Sequence, residues 1–302
     1  MKTLGLDLGG TKIAAAVVED GEMLSQHQVS TPHSGYKDVL GALEEAAKFV
    51  LADYSDIEHV GLGSPGPLDL DAGKVLFAPN IPGLQDVPIA KDLSKRLKRT
   101  VVLENDANAA GYAEHLFGAA RELTSSIYVT ISTGIGGGLF LRESIVHGAD
   151  GVAGEVGHMT LQLGGPLCGC GHYGCWEAVA AGRAIARDAS HSYGETLETK
   201  EVFERAKNGE HKALQAVDQA ARYTGLGLAN LLKAFNPDGF VIGGGLIRAG
   251  DFYMDKVQAA ADEFCKGYPQ AQLYIAELGT DAGMIGAASV ALRGLDEDEL
   301  SA

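Results

Sequence analysis

The segment from Glu155 to Glu177, EVGHMTLQLGGPLCGCGHYGCWE, constrains this chain more than any other. It gathers His158, Cys168, Cys170 and Cys175 into one short stretch. Three thiolates and one imidazole are a complete tetrahedral ligand set for Zn²⁺, and a closed set of four is the structural rather than the catalytic kind. Glycines between the ligands let the backbone bend four side chains onto one centre. Disulfide pairing, a redox couple and plain coincidence are the competing readings. The N-terminus carries no signal-peptide pattern, which argues against an oxidising compartment. A single residue separates Cys168 from Cys170, so the Cys-x-x-Cys spacing of a thioredoxin-type site is absent. Carboxylates at Glu155 and Glu177 bracket the cluster. A metal there would fix two acids and a histidine in the wall of a pocket.

The 302 residues, 46% of them hydrophobic, suffice for a large core divided between two domains. A formal net charge of −16 disfavours nucleic acid as a partner. It does not disfavour an anionic nucleotide, which backbone N–H groups can hold. No apolar run is long enough to span a bilayer, so the expected location is the cytoplasm. Cys265 falls in a helical pattern far from the cluster and reads as a core residue.

Along the chain, Thr3–Leu8 and Lys12–Val18 read as two strands turned at Gly9-Gly10-Thr11. Val39, Leu43, Ala46 and Val50 recur at helical spacing, predicting a helix over residues 38–52. A strand follows over residues 57–63, then a loop. The prolines of LFAPNIPGLQDVPI make residues 71–90 look irregular. A helix near residues 88–97 and a strand over 100–103 come next. Asn105 and Asp106 end that strand and open a helix through Phe117. Residues 126–132 and 139–142 repeat the opening pattern of strand, Gly/Thr turn, strand. Helices then dominate from Trp176 to Ala234. A strand over 240–242, a helix to about Cys265, a strand over 272–276 and a helix over 281–292 close the chain. The acidic tail GLDEDELSA reads as frayed. The coarse architecture is two α/β halves, each opened by a glycine-turned hairpin.

Three glycine-rich turns carry the chemistry. Asp7-x-Gly9-Gly10-Thr11 lets consecutive N–H groups cradle an anion, with Thr11 adding a hydroxyl and Lys12 a positive charge. Asp7 suits a Mg²⁺ ion rather than a phosphate. An ordinary hairpin turn is the bland alternative, and it needs neither Asp nor Thr. Ser132-Thr133-Gly134-Ile135-Gly136-Gly137-Gly138 is a second copy, and two such hairpins can grip a polyphosphate from both sides. Gly243-Gly244-Gly245, between a strand and a helix, either supports a purine ring or allows tight packing. Gly61-Leu62-Gly63-Ser64-Pro65-Gly66 matches G-x-G-x-x-G literally, but no helix follows, so a dinucleotide site is rejected. A P-loop sequence is absent. Asp106 is the candidate for proton chemistry, and a plain helix N-cap is its alternative.

DLGGT at 7–11, the turn at 132–138, EVGH at 155–158 and CGCGHYGCWE at 168–177 together resemble the ROK family of sugar kinases and repressors. The resemblance covers nearly the whole chain. It implies the two-domain, actin-like ATPase fold shared with hexokinase. Residues 1–115, joined by a C-terminal helix over about 282–302, would form a small α/β domain. Residues 116–281 would form a large α/β domain with the zinc loop 155–177. It implies further that Asp7, Gly9, Gly10, Thr11, Lys12, Thr133, Gly134, Gly136 and Gly244 lie along ATP and its Mg²⁺. Asp106 would accept the proton of a hexose 6-hydroxyl. Asn105, Glu155, His158 and Glu177 would bind sugar hydroxyls, with Gly66 and Asn80 in the same pocket. His158, Cys168, Cys170 and Cys175 would hold structural Zn²⁺, and His158 would turn its other ring nitrogen to the sugar. Repressors of the family carry an N-terminal DNA-binding region, for which a hairpin starting at Thr3 leaves no room; an enzyme is therefore expected. Within the family, PNIPGLQDVPI and ELGTDAGMIGAA are most similar to bacterial glucokinases. Glucose is the first expected substrate, fructose and N-acetylhexosamines the alternatives, and a non-catalytic sugar sensor or zinc hydrolase the competing classes. A homodimer or homotetramer is expected on the same ground.

Overall fold

In the computed structural model, residues 1–293 are described except Pro79 and Glu143. The tail read as frayed, and the end of the helix expected to reach residue 302, lie outside the described residues.

The chain divides into two compact units, one of residues 1–122, 138–154 and 277–302 and one of residues 123–137 and 155–276. In the first unit, β1 (Lys2–Leu8) and β2 (Lys12–Glu19) form the expected antiparallel hairpin, with Leu8 opposite Ile13. Both are buried along almost their whole length, as befits central strands. A third strand, β3 (Glu22–Ser30), continues the meander with strictly alternating exposure, because one of its faces meets solvent. Helix α1 (Tyr36–Leu51) buries Val39, Leu43, Ala46 and Val50. Strand β4 (His59–Ser64) lies parallel to β1.

Residues 68–87 correct the sequence reading. They form a small sheet of β5 (Leu68–Asp69), β6 (Lys74–Phe77) and β7 (Gln85–Val87), not an irregular loop. The strands are two to four residues long, too short for a period-two signal, and Pro82 and Pro88 fall outside them. Helix α2 (Ile89–Leu97) leads to β8 (Thr100–Asn105), which runs parallel to β4, and directly into α3 (Asp106–Phe117). The sheet order is β3-β2-β1-β4-β8.

In the second unit, β9 (Ser126–Ile131) is followed by β10 (Ile135–Leu141), whose last residues and β11 (Ser144–Ile145) belong to the first unit. Helices α4 (Trp176–Ala180), α5 (Gly182–Tyr193), α6 (Thr199–Lys207) and α7 (His211–Phe235) succeed the cysteine-rich loop. Strand β12 (Gly239–Gly243) lies parallel to β9, α8 (Asp251–Phe264) follows, and β13 (Leu273–Ile275) lies parallel to β12. The chain ends its described part in α9 (Ala282–Val290), back in the first unit. This division differs from the expected one. The first segment extends to residue 122, and residues 138–154 join it, because Phe140 stacks against Tyr112 and His115 of α3.

Helix α9 is apolar on all sides and sits over β1 and β4. Glycine makes the approach possible. A Cβ at Gly61 would lie 1.7 Å from the Ala287 carbonyl oxygen, and one at Gly5 would lie 1.9 Å from that of Met284. The first glycine of the G-x-G at residues 61–63 is therefore a packing device. We predict that Gly61→Ala lowers unfolding free energy by about 2–3 kcal/mol, since the clash is with backbone that cannot rotate away. Denaturant titration checks this, and an unchanged midpoint would contradict it.

Candidate active site and metal centre

The loop between β11 and α4 is tied at both ends before any metal is considered. Cys175 bridges to Thr160 in a short antiparallel pairing, and the Trp176 N–H donates to the Met159 carbonyl at 2.8 Å. Trp176 is fully buried, against Gly227 of α7. The loop's exit is thus pinned by a large side chain, and its entry, Val156–His158, is one turn of 3₁₀ helix.

Within the loop, one donor atom each from His158, Cys168, Cys170 and Cys175 lies within 4.8 Å of every other. Cys170 Sγ and Cys175 Sγ are 3.6 Å apart, and Cys168 Sγ is 3.7 Å from His158 Nδ1. Two thiolates at about 2.3 Å from one tetrahedral ion sit about 3.8 Å apart. A disulfide would need about 2.05 Å, and all four cysteines are free. The donor set and its spacing fit a four-coordinate cation, while Cys265 is buried elsewhere. His158 turns Nδ1 to the thiols and Nε2 toward Glu155 Oε2, at 3.8 Å. Burial raises the Glu155 carboxyl above its ordinary range; His158 opposes the rise and Glu177 adds to it.

The thiols are not equivalent. Burial pushes Cys175 up to about 12, with Cys170 and Cys168 adding to the rise. At Cys170 burial also raises the value, but hydrogen bonds from His172 and from the other two thiols outweigh it and bring it down to about 6. His172, whose Nδ1 is 3.7 Å from Cys170 Sγ, was not singled out by sequence reasoning. Cys170 is also exposed where Cys168 and Cys175 are buried. In metal-free protein at pH 7, iodoacetamide should therefore alkylate Cys170 first; peptide mass spectrometry showing Cys175 modified earlier would contradict this.

Glu177 joins this loop to the second glycine-rich turn. Its Oε2 accepts the Ile135 N–H at 3.1 Å, and its Oε1 accepts from Arg183 at 2.9 Å. A Cβ on Gly134 would lie 2.3 Å from Glu177 Oε2, so the glycine is there for close approach. Arg183 also donates from Nε to the Thr133 carbonyl at 3.0 Å. No motif marks Arg183, and only the fold brings it to the turn. Gly136 lies in β10. Gly244, at φ 88°, follows β12 where a Cβ would strike the end of β9.

In the first unit, Asp7 is the last residue but one of β1, beside the turn of Gly9, Gly10 and Thr11. The Gly9 N–H donates to the Lys12 carbonyl at 2.9 Å, and Thr31 Oγ1 donates to the Gly9 carbonyl at 2.7 Å. Burial raises the Asp7 carboxyl, with Lys12 pulling it back. Asn80 is brought next to Gly10, its Cβ 3.5 Å from where a Gly10 Cβ would stand. Gly66 has φ 96° and passes the Phe77 carbonyl too closely for a side chain.

Asn105 and Asp106 occupy the corner between β8 and α3. Asn105 is the N-cap: its Oδ1 accepts from the N–H groups of Ala107 and Asn108 at 2.9 and 3.1 Å. The capping role considered for Asp106 thus belongs to its neighbour. Asp106 is the first helical residue, and its Oδ1 accepts the Ala107 N–H at 2.8 Å.

Comparison with known proteins gives the family. Residues 3–293 match the ROK family. A glucokinase of Streptomyces coelicolor is 36% identical, over 96% of this chain and 97% of its own. An N-acetylmannosamine kinase of Haemophilus influenzae is 35% identical, over 95% and 94%. Among solved structures, the ROK hexokinase from Thermus thermophilus superposes with a TM-score of 0.89 at 48% identity, over 95% of this chain and 97% of that one. A ROK family glucokinase from Streptomyces griseus, in complex with glucose and AMPPNP, gives 0.85 at 36% identity, over 97% and 100%. With a turn-and-hairpin pair, a four-donor loop and a family match running almost from end to end, the chain belongs to the ROK family.

Proposed function

We propose that this chain is an ATP-dependent hexokinase that transfers the γ-phosphoryl group to the 6-hydroxyl of a hexose, glucose first among them. The observation that carries the reading is the corner at Asn105-Asp106. There a capped helix start presents a carboxylate directly beyond the end of a parallel strand. The relatives named above act on hexoses or their N-acetylamino derivatives, and one neighbour binds glucose with an ATP analogue.

In this reading Asp106 takes the proton from the 6-hydroxyl as its oxygen attacks the γ-phosphorus. A weak base suffices, because positioning and charge neutralisation dominate phosphoryl transfer. Asn105 commits its Oδ1 to the cap, so it offers the sugar its amide N–H. Glu155 and Glu177 accept from hydroxyls, and His158 presents Nε2. Asn80 and Gly66 are the further residues assigned to the sugar. Asp7 would hold Mg²⁺, directly or through water, which when bound would supply charge neutralisation on the phosphates. Gly9, Gly10, Thr11 and Lys12 lie along the polyphosphate, as do Thr133, Gly134 and Gly136. Gly244 keeps the backbone open beside the base.

Zn²⁺ is the cation we assign to His158, Cys168, Cys170 and Cys175, because a closed set of three thiolates and an imidazole leaves no position for a reactive water. That closed set also counts against a zinc hydrolase. Free thiols suit a reducing compartment, in keeping with the cytoplasm, and among the described residues no helix is long and apolar enough to cross a membrane. A homodimer or homotetramer is part of the same reading.

A coupled assay with glucose, fructose, mannose, N-acetylglucosamine and N-acetylmannosamine tests the activity, with glucose expected to give the highest kcat/KM. A preference for N-acetylmannosamine would move the assignment to the amino-sugar kinases, and ATP turnover with none of them would end it. Asp106→Ala should lower kcat by at least about 10²-fold; near-normal turnover would reduce Asp106 to a helix-start residue. Purified protein should contain one zinc per chain. Cys168→Ser should lower melting temperature and raise the sugar KM together. A metal-free preparation that keeps both would refute the zinc assignment.

A further inference from the structure

Glu104 is almost fully buried, at 1% exposure, one residue before the Asn105-Asp106 pair. Every part of its carboxylate is engaged. Oε1 accepts the Asn105 backbone N–H at 2.9 Å and the Asn108 side-chain amide at 3.0 Å. Oε2 lies 2.7 Å from His147 Nε2 and 3.7 Å from an Arg293 guanidinium nitrogen. Both donors on Oε1 belong to the corner itself. The Asn105 N–H is the last amide of β8, and Asn108 closes the first turn of α3, its own N–H held by the Asn105 cap. Asn108 is buried against Gly138, where a Cβ would come within 3.1 Å of its Oδ1.

The other side of Glu104 faces an open cavity of about 680 Å³, lined also by Asp69, Asp150 and Leu103. His147 and Arg293 stand on that side and keep the carboxylate out of water. A buried carboxylate that loses a partner is left as an uncompensated charge, which favours its turning toward solvent and loosening its hold on its other partners. His147 has a second attachment. Its carbonyl accepts the Ala153 N–H at 3.0 Å and closes the loop whose next segment begins at Glu155.

We propose that Glu104, latched by His147, is a positioning residue that sets the placement of Asn105 and Asp106 toward the sugar. This rests on the hexokinase reading for its catalytic consequence, but the latch itself does not. The carboxylate acts through Asn105 and Asn108 and touches no substrate. A misplacement of the general base by a fraction of an ångström costs turnover without removing any reacting group.

The test uses the full chain with His147→Ala, His147→Gln, Glu104→Ala and the Glu104→Ala/His147→Ala double variant. Gln can put its amide nitrogen near the place of His Nε2. We expect His147→Ala to raise the sugar KM about 10-fold and lower kcat about 10-fold, with the ATP KM changed less than about 2-fold. His147→Gln should bring both constants back to within about 3-fold of the parent. The double variant should be no worse than Glu104→Ala alone, since the two act as one unit. Unchanged constants in His147→Ala would overturn the proposal. So would a loss of kcat that only follows the folded fraction by circular dichroism, or a failure of Gln to restore activity. Amide exchange in the unliganded chain gives a readout that needs no sugar: the Ala107 and Asn108 N–H groups should exchange about 10-fold faster in His147→Ala. If the parent phosphorylates no hexose but exchange accelerates, the function fails and the latch stands. If the parent is active and exchange is unchanged, the latch fails alone.

Discussion

Convergence of three thiols and one imidazole on a single point is the constraint from which the second unit's candidate site is built. The four donors come from a loop with little regular structure, held by isolated backbone bonds such as those from the Cys168 N–H to the His172 carbonyl and from the Gly174 N–H to the Pro166 carbonyl. A cation shared by the four ligands, as proposed, would add to those bonds, and its binding free energy would become folding free energy. The geometry then reaches outward in both directions. His158 carries the constraint to Glu155, and Cys175, next to the buried Trp176, carries it to Glu177.

From there the work passes to carboxylates that hold backbone. Glu177 accepts from Ile135 in the second glycine turn. Glu104 accepts from Asn105 at the end of β8. Glu114, fully buried in α3, accepts from the N–H groups of Ala119, Glu277 and Leu278. In each case an acid satisfies amides that no ladder or helix reaches, and a charge-assisted bond in a dry place is about twice as strong as a neutral one. A formal charge of −16 favours acids on the surface. Here Glu104 and Glu114 are inside, each matched to donors that point at it.

The regular elements were legible because periodicity reports burial directly. Val39, Leu43, Ala46 and Val50 announced α1, and the glycine turn after Leu8 announced its hairpin. Residues 68–87 were not legible, since strands of two to four residues have no period to read. Residues 138–154 group with the first unit, where Phe140 stacks on His115 of α3, a contact that no local pattern announces. The spacing of His158, Cys168, Cys170 and Cys175 marked four donors that the fold brings within 4.8 Å of one another. His147, Arg183 and Glu104 were not so marked, because a lone histidine, arginine or glutamate carries no pattern until the fold supplies its partner.

The sequence by itself determined which residues can bind a metal, where the chain must turn tightly and which faces must be buried. These depend on side-chain chemistry and on neighbours a few positions away. Only the tertiary structure decided that Gly61 admits a helix backbone rather than a phosphate. Only it showed that Asn105, not Asp106, caps α3, and that Glu104 meets a histidine 43 residues further along the chain. Each of those outcomes turns on the distance between groups far apart in the chain, and such distances are fixed by packing, which local pattern does not encode.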